Sequence, residues 1–161
     1  MSPLGLIHTV FAVLALLSGA AILVMDKGSP RHRRTGWVYV VSMIAMNGTA
    51  LVIYRLFGGF GPFHVAALLS LATVAAGLVP VMRRRPVDGW LELHYNFMAY
   101  SYVGLIAAAA SEVGTRLPET VFWWAVLIAT VAVIAVGVLM VRRFQAGALA
   151  RVRLRPDFRT S

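Results

Sequence analysis

The segment 1–25, MSPLGLIHTVFAVLALLSGAAILVM, contains no charged side chain and decides the fold class of the chain. A helix needs about 20 mostly apolar residues to cross the roughly 30 Å of hydrocarbon in a bilayer, and residues 4–25 provide one such window. The segment lacks the positive flank of a secretory signal peptide, and its apolar run is too long for one. We therefore expect it to remain in the protein as a membrane-spanning helix.

Four further windows have the same length and apolar character, at residues 36–54, 63–82, 91–111 and 120–141. The composition agrees, because 60% of the 161 residues are hydrophobic and only 13% are charged, whereas soluble domains average about 25% charged residues. The sequence therefore predicts an all-α integral membrane helical bundle with five transmembrane helices. The chain has no cysteine, which excludes disulfides, thiolate metal sites and cysteine nucleophiles.

The positive charges predict the orientation of the five spans. Thirteen of the 15 basic residues fall in the first loop, the third loop and the C-terminal segment, and only Arg55 and Arg116 fall on the other side. By the positive-inside rule the N-terminus is outside and the C-terminus is cytoplasmic. We expect one transmembrane domain over residues 1–143 and a basic cytoplasmic tail over residues 144–161. The net charge of +9 is then a matter of topology and of anionic lipid headgroups at the cytoplasmic face, and nucleic-acid binding is excluded.

A loose internal repeat divides the first four spans into two tandem hairpins. His8 and His64 open the first and third spans, and each hairpin then has a basic loop that ends in Gly-Trp, at residues 36–37 and 89–90. Two tandem hairpins are expected to pack as an up-down four-helix bundle, with the fifth helix added to it.

The four histidines are the candidate functional residues, because polar side chains inside a membrane are costly. His8 and His64 are expected at the outer level, and His32 and His94 at the inner level, where Met98 shares a helical face with His94. Histidines are common ligands of haem iron and of Zn or Cu. The candidate ligands are thus His8, His64, His94, His32 and Met98, for haem b or a transition metal. A cofactor-free interpretation, in which each histidine bonds a carbonyl or reaches water, stays open as an equal alternative.

Asn47, near the middle of the second span, has a simpler interpretation. A single asparagine in a membrane helix usually forms a hydrogen bond to a neighbouring helix. We therefore expect Asn47 to join two helices.

The stretch from Lys27 to Tyr39, KGSPRHRRTGWVY, resembles the signature of a family of uncharacterised bacterial membrane proteins classed as a domain of unknown function. The resemblance covers residues 5–105. It rests on the order of these residues: His8, His32, Arg33, Gly36, Tyr39, Met43, His94, Met98 and Tyr100. It implies a small helical bundle in the bacterial inner membrane and no established activity.

Two classes of function follow from these observations. The first is a redox or electron-transfer protein whose histidines bind haem or a metal, and the second is a cofactor-free accessory or structural subunit of a larger membrane complex. A proton or solute transporter is disfavoured, since the spans have no central Asp, Glu, Lys or Arg of the kind that ion pathways use. No hydrolase motif is present, and the sequence does not decide whether the protein is an enzyme.

Overall fold

A computed structural model describes residues 2–54, 58–86, 89–114 and 118–154 of the chain. Within these ranges it contains five helices and no strand. The helices are α1 (Pro3–Val24), α2 (Pro30–Ala50), α3 (Pro62–Arg83), α4 (Trp90–Gly114) and α5 (Glu119–Arg153). The predicted all-helical class is confirmed, and each predicted span coincides with most of one helix.

Three of the described helices are long and apolar enough to cross a membrane by length and composition alone. They are α1, α3 and the part of α5 from Val121 to Arg153. The helices α2 and α4 are more polar, since α2 begins with basic residues and α4 begins with a glutamate and a histidine.

Serine-proline pairs start the first two helices. The hydroxyl of Ser2 accepts a hydrogen bond from the backbone N–H of Gly5, and that of Ser29 accepts one from His32, each at 3.1 Å. Such N-caps satisfy one of the orphan donors of the first turn, and proline fits the first helical position because it has no N–H to lose. The cap at Ser29 starts α2 six residues before the predicted span, so the basic segment after it is helical.

The turn between α1 and α2 holds Lys27, the single lysine of the chain. Its ammonium donates hydrogen bonds to the last carbonyls of α1, those of Ile22 and Leu23. Burial lowers the pKa of Lys27 below its ordinary value, and the carboxylate of Asp26 opposes that shift. Gly28 follows with a φ of 77°, in the left-handed region that glycine adopts without a steric penalty. The lysine and the glycine together end α1 and turn the chain toward α2.

The chain divides into two compact units, residues 1–75 and 76–161, and the boundary falls within α3. In the first unit α1 packs against α2, and the core includes Ala15, Tyr39, Val40 and Met43. In the second unit α4 packs against α5, with Leu105, Ala107, Phe122 and Val141 buried. The helix α5 runs through residues 144–153, which were predicted as the beginning of a tail; the single domain over 1–143 stays a prediction.

The helices bury small and polar side chains and expose large apolar ones. Ser18, Ser42, Asn47, Ser101 and Ser111 are all buried. The exposed side chains include Leu17, Leu69, Trp124, Ile128 and Leu139, each more than 60% exposed. Large exposed apolar surfaces are rare on soluble proteins, whereas small and polar residues at helix contacts are typical of membrane helices. The surface is thus suited to lipid.

Candidate functional site

His8 on α1 reaches across to α2. Its Nδ1 lies 3.0 Å from the carbonyl oxygen of Met46 and 3.1 Å from the hydroxyl of Thr49. The Thr49 hydroxyl itself donates to Met46 O and Ala45 O. Because a carbonyl oxygen only accepts, Nδ1 of His8 carries the proton and donates. The neutral ring therefore has its lone pair on Nε2.

His64, in the first turn of α3, has the opposite arrangement. Its Nδ1 accepts a hydrogen bond from the backbone N–H of Gly61 at 3.0 Å, so the proton of the neutral ring is on Nε2. His64 is only 3% exposed, and within the described residues its buried Nε2 has no hydrogen-bond partner. An unsatisfied buried donor costs about 1–3 kcal/mol. In this tautomer Nε2 has no lone pair with which to bind a metal.

Two aromatic rings cover His64. The ring of Tyr54 stacks on it at a centroid distance of 4.8 Å and an interplanar angle of 28°, and the ring of Phe60 does so at 5.0 Å and 29°. Both rings are themselves exposed on the surface, Tyr54 by 47% and Phe60 by 63%. The buried N–H of His64 therefore lies close behind an exposed aromatic surface.

His94 on α4 contacts the second half of α3. Its Nδ1 lies 2.8 Å from the carbonyl oxygen of Gly77, so it donates there, and the lone pair of the neutral ring is on Nε2 as in His8. One turn later, Met98 packs against the same glycine, since a Cβ on Gly77 would lie 2.8 Å from its sulfur. The glycine thus permits both the close helix contact and the hydrogen bond.

The remaining predicted ligand, His32, begins α2. Its backbone N–H donates to the capping hydroxyl of Ser29. His32 belongs to the first unit and His94 to the second, so a site that joins these two histidines stays a prediction. The same holds for Met98 as a ligand and for a shared site of His8 and His64.

The two hairpins of the predicted repeat use their histidines differently. In the first hairpin, the histidine of the first helix bonds the second helix, from His8 to Met46. In the second hairpin, the histidine of the second helix bonds the first, from His94 to Gly77. His64, which corresponds to His8 in the repeat, bonds its own turn instead. The two hairpins therefore share a sequence pattern, but these histidines do not form equivalent hydrogen bonds in the two hairpins.

Asn47 joins α2 to α3, as expected. Its amide donates to the Ser70 hydroxyl at 3.1 Å and to the carbonyl of Met43 in its own helix at 2.7 Å. A corresponding contact in the second unit joins the hydroxyls of Ser111 on α4 and Thr130 on α5 at 3.0 Å. The partners Ser70, Ser111 and Thr130 were not predicted, because serine and threonine occur at many positions in these spans.

The number of potential ligands that lie close together limits the kind of cofactor that the histidines could bind. Among the residues that the structure describes, no group of three or more His, Cys, Asp or Glu side chains is placed to hold a metal ion. Zinc sites use three or four protein ligands. The described residues therefore provide no complete protein cage of three or more such side chains.

The fold and the apolar exterior define an α-helical membrane protein. The chain belongs to the family described as "Predicted membrane protein (DUF2306)", whose model matches residues 5–146. The match confirms the resemblance to a family of unknown function and extends it beyond residue 105 into α5. No curated protein and no solved structure gives a significant match to the chain.

Proposed function

We propose that the protein crosses the bacterial inner membrane five times, with its N-terminus outside and its C-terminus in the cytoplasm. At 1.5 Å per residue, the 25 residues of α4 extend about 37 Å, enough to cross about 30 Å of hydrocarbon, and the 21 residues of α2 extend about 31 Å including the basic first turn that lies at the headgroups. The helix α2 buries Ser42 and Asn47 and exposes Val38, Val41 and Ile44, which suits a lipid-facing surface.

The alternative topology has three spans, formed by α1, α3 and α5 alone. The segment Arg83–Arg85 would then lie outside the cell, against the positive-inside rule. With five spans this segment lies on the cytoplasmic side, together with the basic first turns of α2 and the end of α5. We further propose that the exposed arginines there, such as Arg33, Arg34 and Arg143, contact anionic lipid headgroups.

As function, we propose that the protein is a redox or electron-transfer protein in which His8 and His94 each bind a cofactor through Nε2, at separate places in the two units. The observation that carries this proposal is that each ring donates from Nδ1 to a backbone carbonyl, at 3.0 Å to Met46 and 2.8 Å to Gly77. Histidines that bind metals almost always donate their other ring N–H to such a partner, which fixes the tautomer and the ring orientation. His8 and His94 have this arrangement, and His64 does not.

Among the cofactors, haem b fits better than a Zn or Cu ion. A haem brings its four equatorial nitrogens with it and needs one or two axial ligands from the protein, which single histidines can supply. A protein-bound zinc ion would need a group of three or more side chains, and the described residues contain none. His8 or His94 would hold the haem, which would supply one-electron chemistry, while the carbonyls of Met46 and Gly77 orient the histidine rings.

A cofactor-free accessory subunit is the second candidate, and the same hydrogen bonds favour it. The bond from His8 joins α1 to α2, and the bond from His94 joins α4 to α3. Each has a complete structural role without a cofactor. The apolar side chains that α5 exposes, such as Trp124, Ile128 and Leu139, would then contact lipid or a partner helix of a membrane complex.

Absorption spectroscopy and iron analysis of the detergent-purified protein test the redox proposal. We expect a Soret band and stoichiometric iron, both reduced in His8→Gly or His94→Gly and restored by added imidazole, which replaces an axial ligand. Ser18→Ala is the matched control, because the Ser18 hydroxyl bonds only the backbone of its own helix, at Leu14 and Ala15. A colourless, iron-free protein that these substitutions merely destabilise would contradict the redox proposal and support the accessory subunit.

A further inference from the structure

We propose that His64, with Tyr54 and Phe60, forms a binding site for a lipid-soluble quinone, whose carbonyl oxygen accepts the hydrogen bond from His64 Nε2. Nothing in this proposal depends on haem or metal at His8 and His94. The direction of the hydrogen bond at His64 supports this site first. Because Nδ1 accepts from Gly61 at 3.0 Å, Nε2 of the neutral ring is a donor and requires an acceptor.

The second step is that the described part of the protein supplies no acceptor for this donor. His64 is 97% buried, since 3% of its surface is exposed, and among the described residues its Nε2 has no hydrogen-bond partner. Buried donors in proteins are paired in the great majority of cases, and an exception calls for a specific explanation. A ligand that presents an oxygen acceptor explains the exception at His64.

The third step is the shape of the surroundings. The rings of Tyr54 and Phe60 lie against the imidazole at centroid distances of 4.8 and 5.0 Å, so an aromatic surface borders the donor. Both side chains are about half or more exposed, so this aromatic surface is open to a ligand. The ligand class that the site favours is therefore planar and aromatic in shape.

The fourth step is the route of entry. On the same helix as His64, the side chains of Val65, Leu68 and Leu69 are exposed and apolar, and the chain belongs to a membrane protein family. A ligand that approaches over this surface comes from the lipid phase. Quinones combine the three required properties, namely solubility in lipid, a planar ring and carbonyl oxygens at the ring edge.

The test compares two probes that differ in their carbonyl groups. Menadione is a naphthoquinone, and 2-methylnaphthalene has the same ring system and methyl group without the oxygens. Because the chain has no cysteine, menadione has no thiol to react with. The affinities are measured by calorimetry on the full chain in nanodiscs, after subtraction of the uptake by empty nanodiscs.

We expect the wild type to bind menadione roughly three- to tenfold more tightly than 2-methylnaphthalene, the ratio that one net hydrogen bond gives. The substitution His64→Phe keeps a ring in the stack and removes the donor, so the ratio should fall to about one. Phe60→Leu should weaken the binding of both probes, because it removes a stacking ring. The control Phe144→Leu, at an exposed phenylalanine of α5, should change neither affinity.

Infrared spectroscopy on the wild type keeps the test decisive even if His64→Phe fails to fold. Hydrogen bonding should shift the carbonyl band of bound menadione to lower frequency than that of menadione in empty nanodiscs. Equal affinities for the two probes, an unshifted band, or a ratio that survives in His64→Phe would each overturn the proposal. These outcomes are separate from the haem test, since a colourless protein with a shifted band supports the quinone site alone.

Discussion

At the scale of single residues, the partner of Nδ1 determines what each histidine can do. His8 and His94 face backbone carbonyls, so their lone pairs lie on Nε2. His64 faces a backbone N–H, so its Nε2 is a donor. The three side chains are chemically identical, and the different chemistry proposed for them follows from the contacts that their helices provide.

Gly77 has a hydrogen atom where every other residue type has a Cβ. Both the close packing of Met98 and the hydrogen bond from His94 depend on that small size. We predict that Gly77→Ala destabilises the protein by about 1–3 kcal/mol, the usual cost of overpacking. The added Cβ would lie 2.8 Å from the sulfur of Met98 and 3.1 Å from its backbone nitrogen, and the backbone cannot move aside without the helix. The measurement is the free energy of unfolding in a titration with sodium dodecyl sulfate.

Gly104→Ala on α4 is the matched control for Gly77→Ala. A Cβ at Gly104 meets no atom within 4 Å, and alanine is the better helix former by about 1 kcal/mol. We therefore expect Gly104→Ala to be neutral or stabilising. Equal effects of the two substitutions would show that α3 and α4 do not approach closely at Gly77.

At the scale of helices, the contact between α4 and α5 depends on a second glycine. A Cβ at Gly137 would overlap the γ-methyl groups of Val103, so the two helices approach each other closely at this point. Small residues at such contacts are the usual basis of helix association in membranes, where the hydrophobic effect contributes little.

We predict that Gly137→Ala destabilises the protein and that Val103→Ala, which removes the overlapping methyl groups, rescues part of the loss. Residues in direct contact show coupling energies of about 0.5–3 kcal/mol in double-mutant cycles, and here the coupling should be favourable. The four unfolding free energies of the cycle are the measurement. A coupling of zero would contradict the direct contact between Gly137 and Val103.

The sequence was sufficient for the five helices and insufficient for some of their ends. An apolar window of about 20 residues with at most one charge specifies a helix through its burial in lipid, and all five windows lie mainly on helices. The beginning of α2 is set instead by local chemistry, the Ser29 cap and Pro30, which the window analysis did not include. The helix α5 extends to Arg153, beyond its apolar window.

The candidate site was less predictable than the helices. His8, His64, His94 and Asn47 can be identified from the sequence alone, because they are polar residues within apolar windows. Their partners depend on the register between helices, and a one-dimensional pattern does not contain it. The tautomer of His64, for example, depends on the N–H of Gly61, which is three residues away in a turn that the sequence analysis did not assign to it.

At the scale of the whole molecule, two criteria lead to different numbers of spans. Length and composition of the described helices select three, whereas the five apolar windows and the positive-inside rule favour five. Both topologies put the two termini on opposite sides, because both numbers are odd, and in both the positive-inside rule favours an N-terminus outside and a C-terminus inside. Reporters at the two ends therefore cannot separate them, and the connections on either side of α3 can.

We predict that Gly59, between α2 and α3, lies on the outer side of the membrane, where the N-terminus is. Arg85, after α3, should lie on the cytoplasmic side. The chain has no cysteine, so Gly59→Cys and Arg85→Cys each introduce a single thiol. A Cβ at Gly59 meets no neighbour within 4 Å, and Arg85 is exposed, so neither change should disturb the fold. A membrane-impermeant maleimide should label Gly59→Cys in intact cells and Arg85→Cys only after permeabilisation. Ser2→Cys, outside in both topologies, controls for labelling itself. The reverse pattern at Gly59 and Arg85, with Ser2→Cys still labelled, would mean that α2 and α4 do not cross and that only α1, α3 and α5 span the membrane.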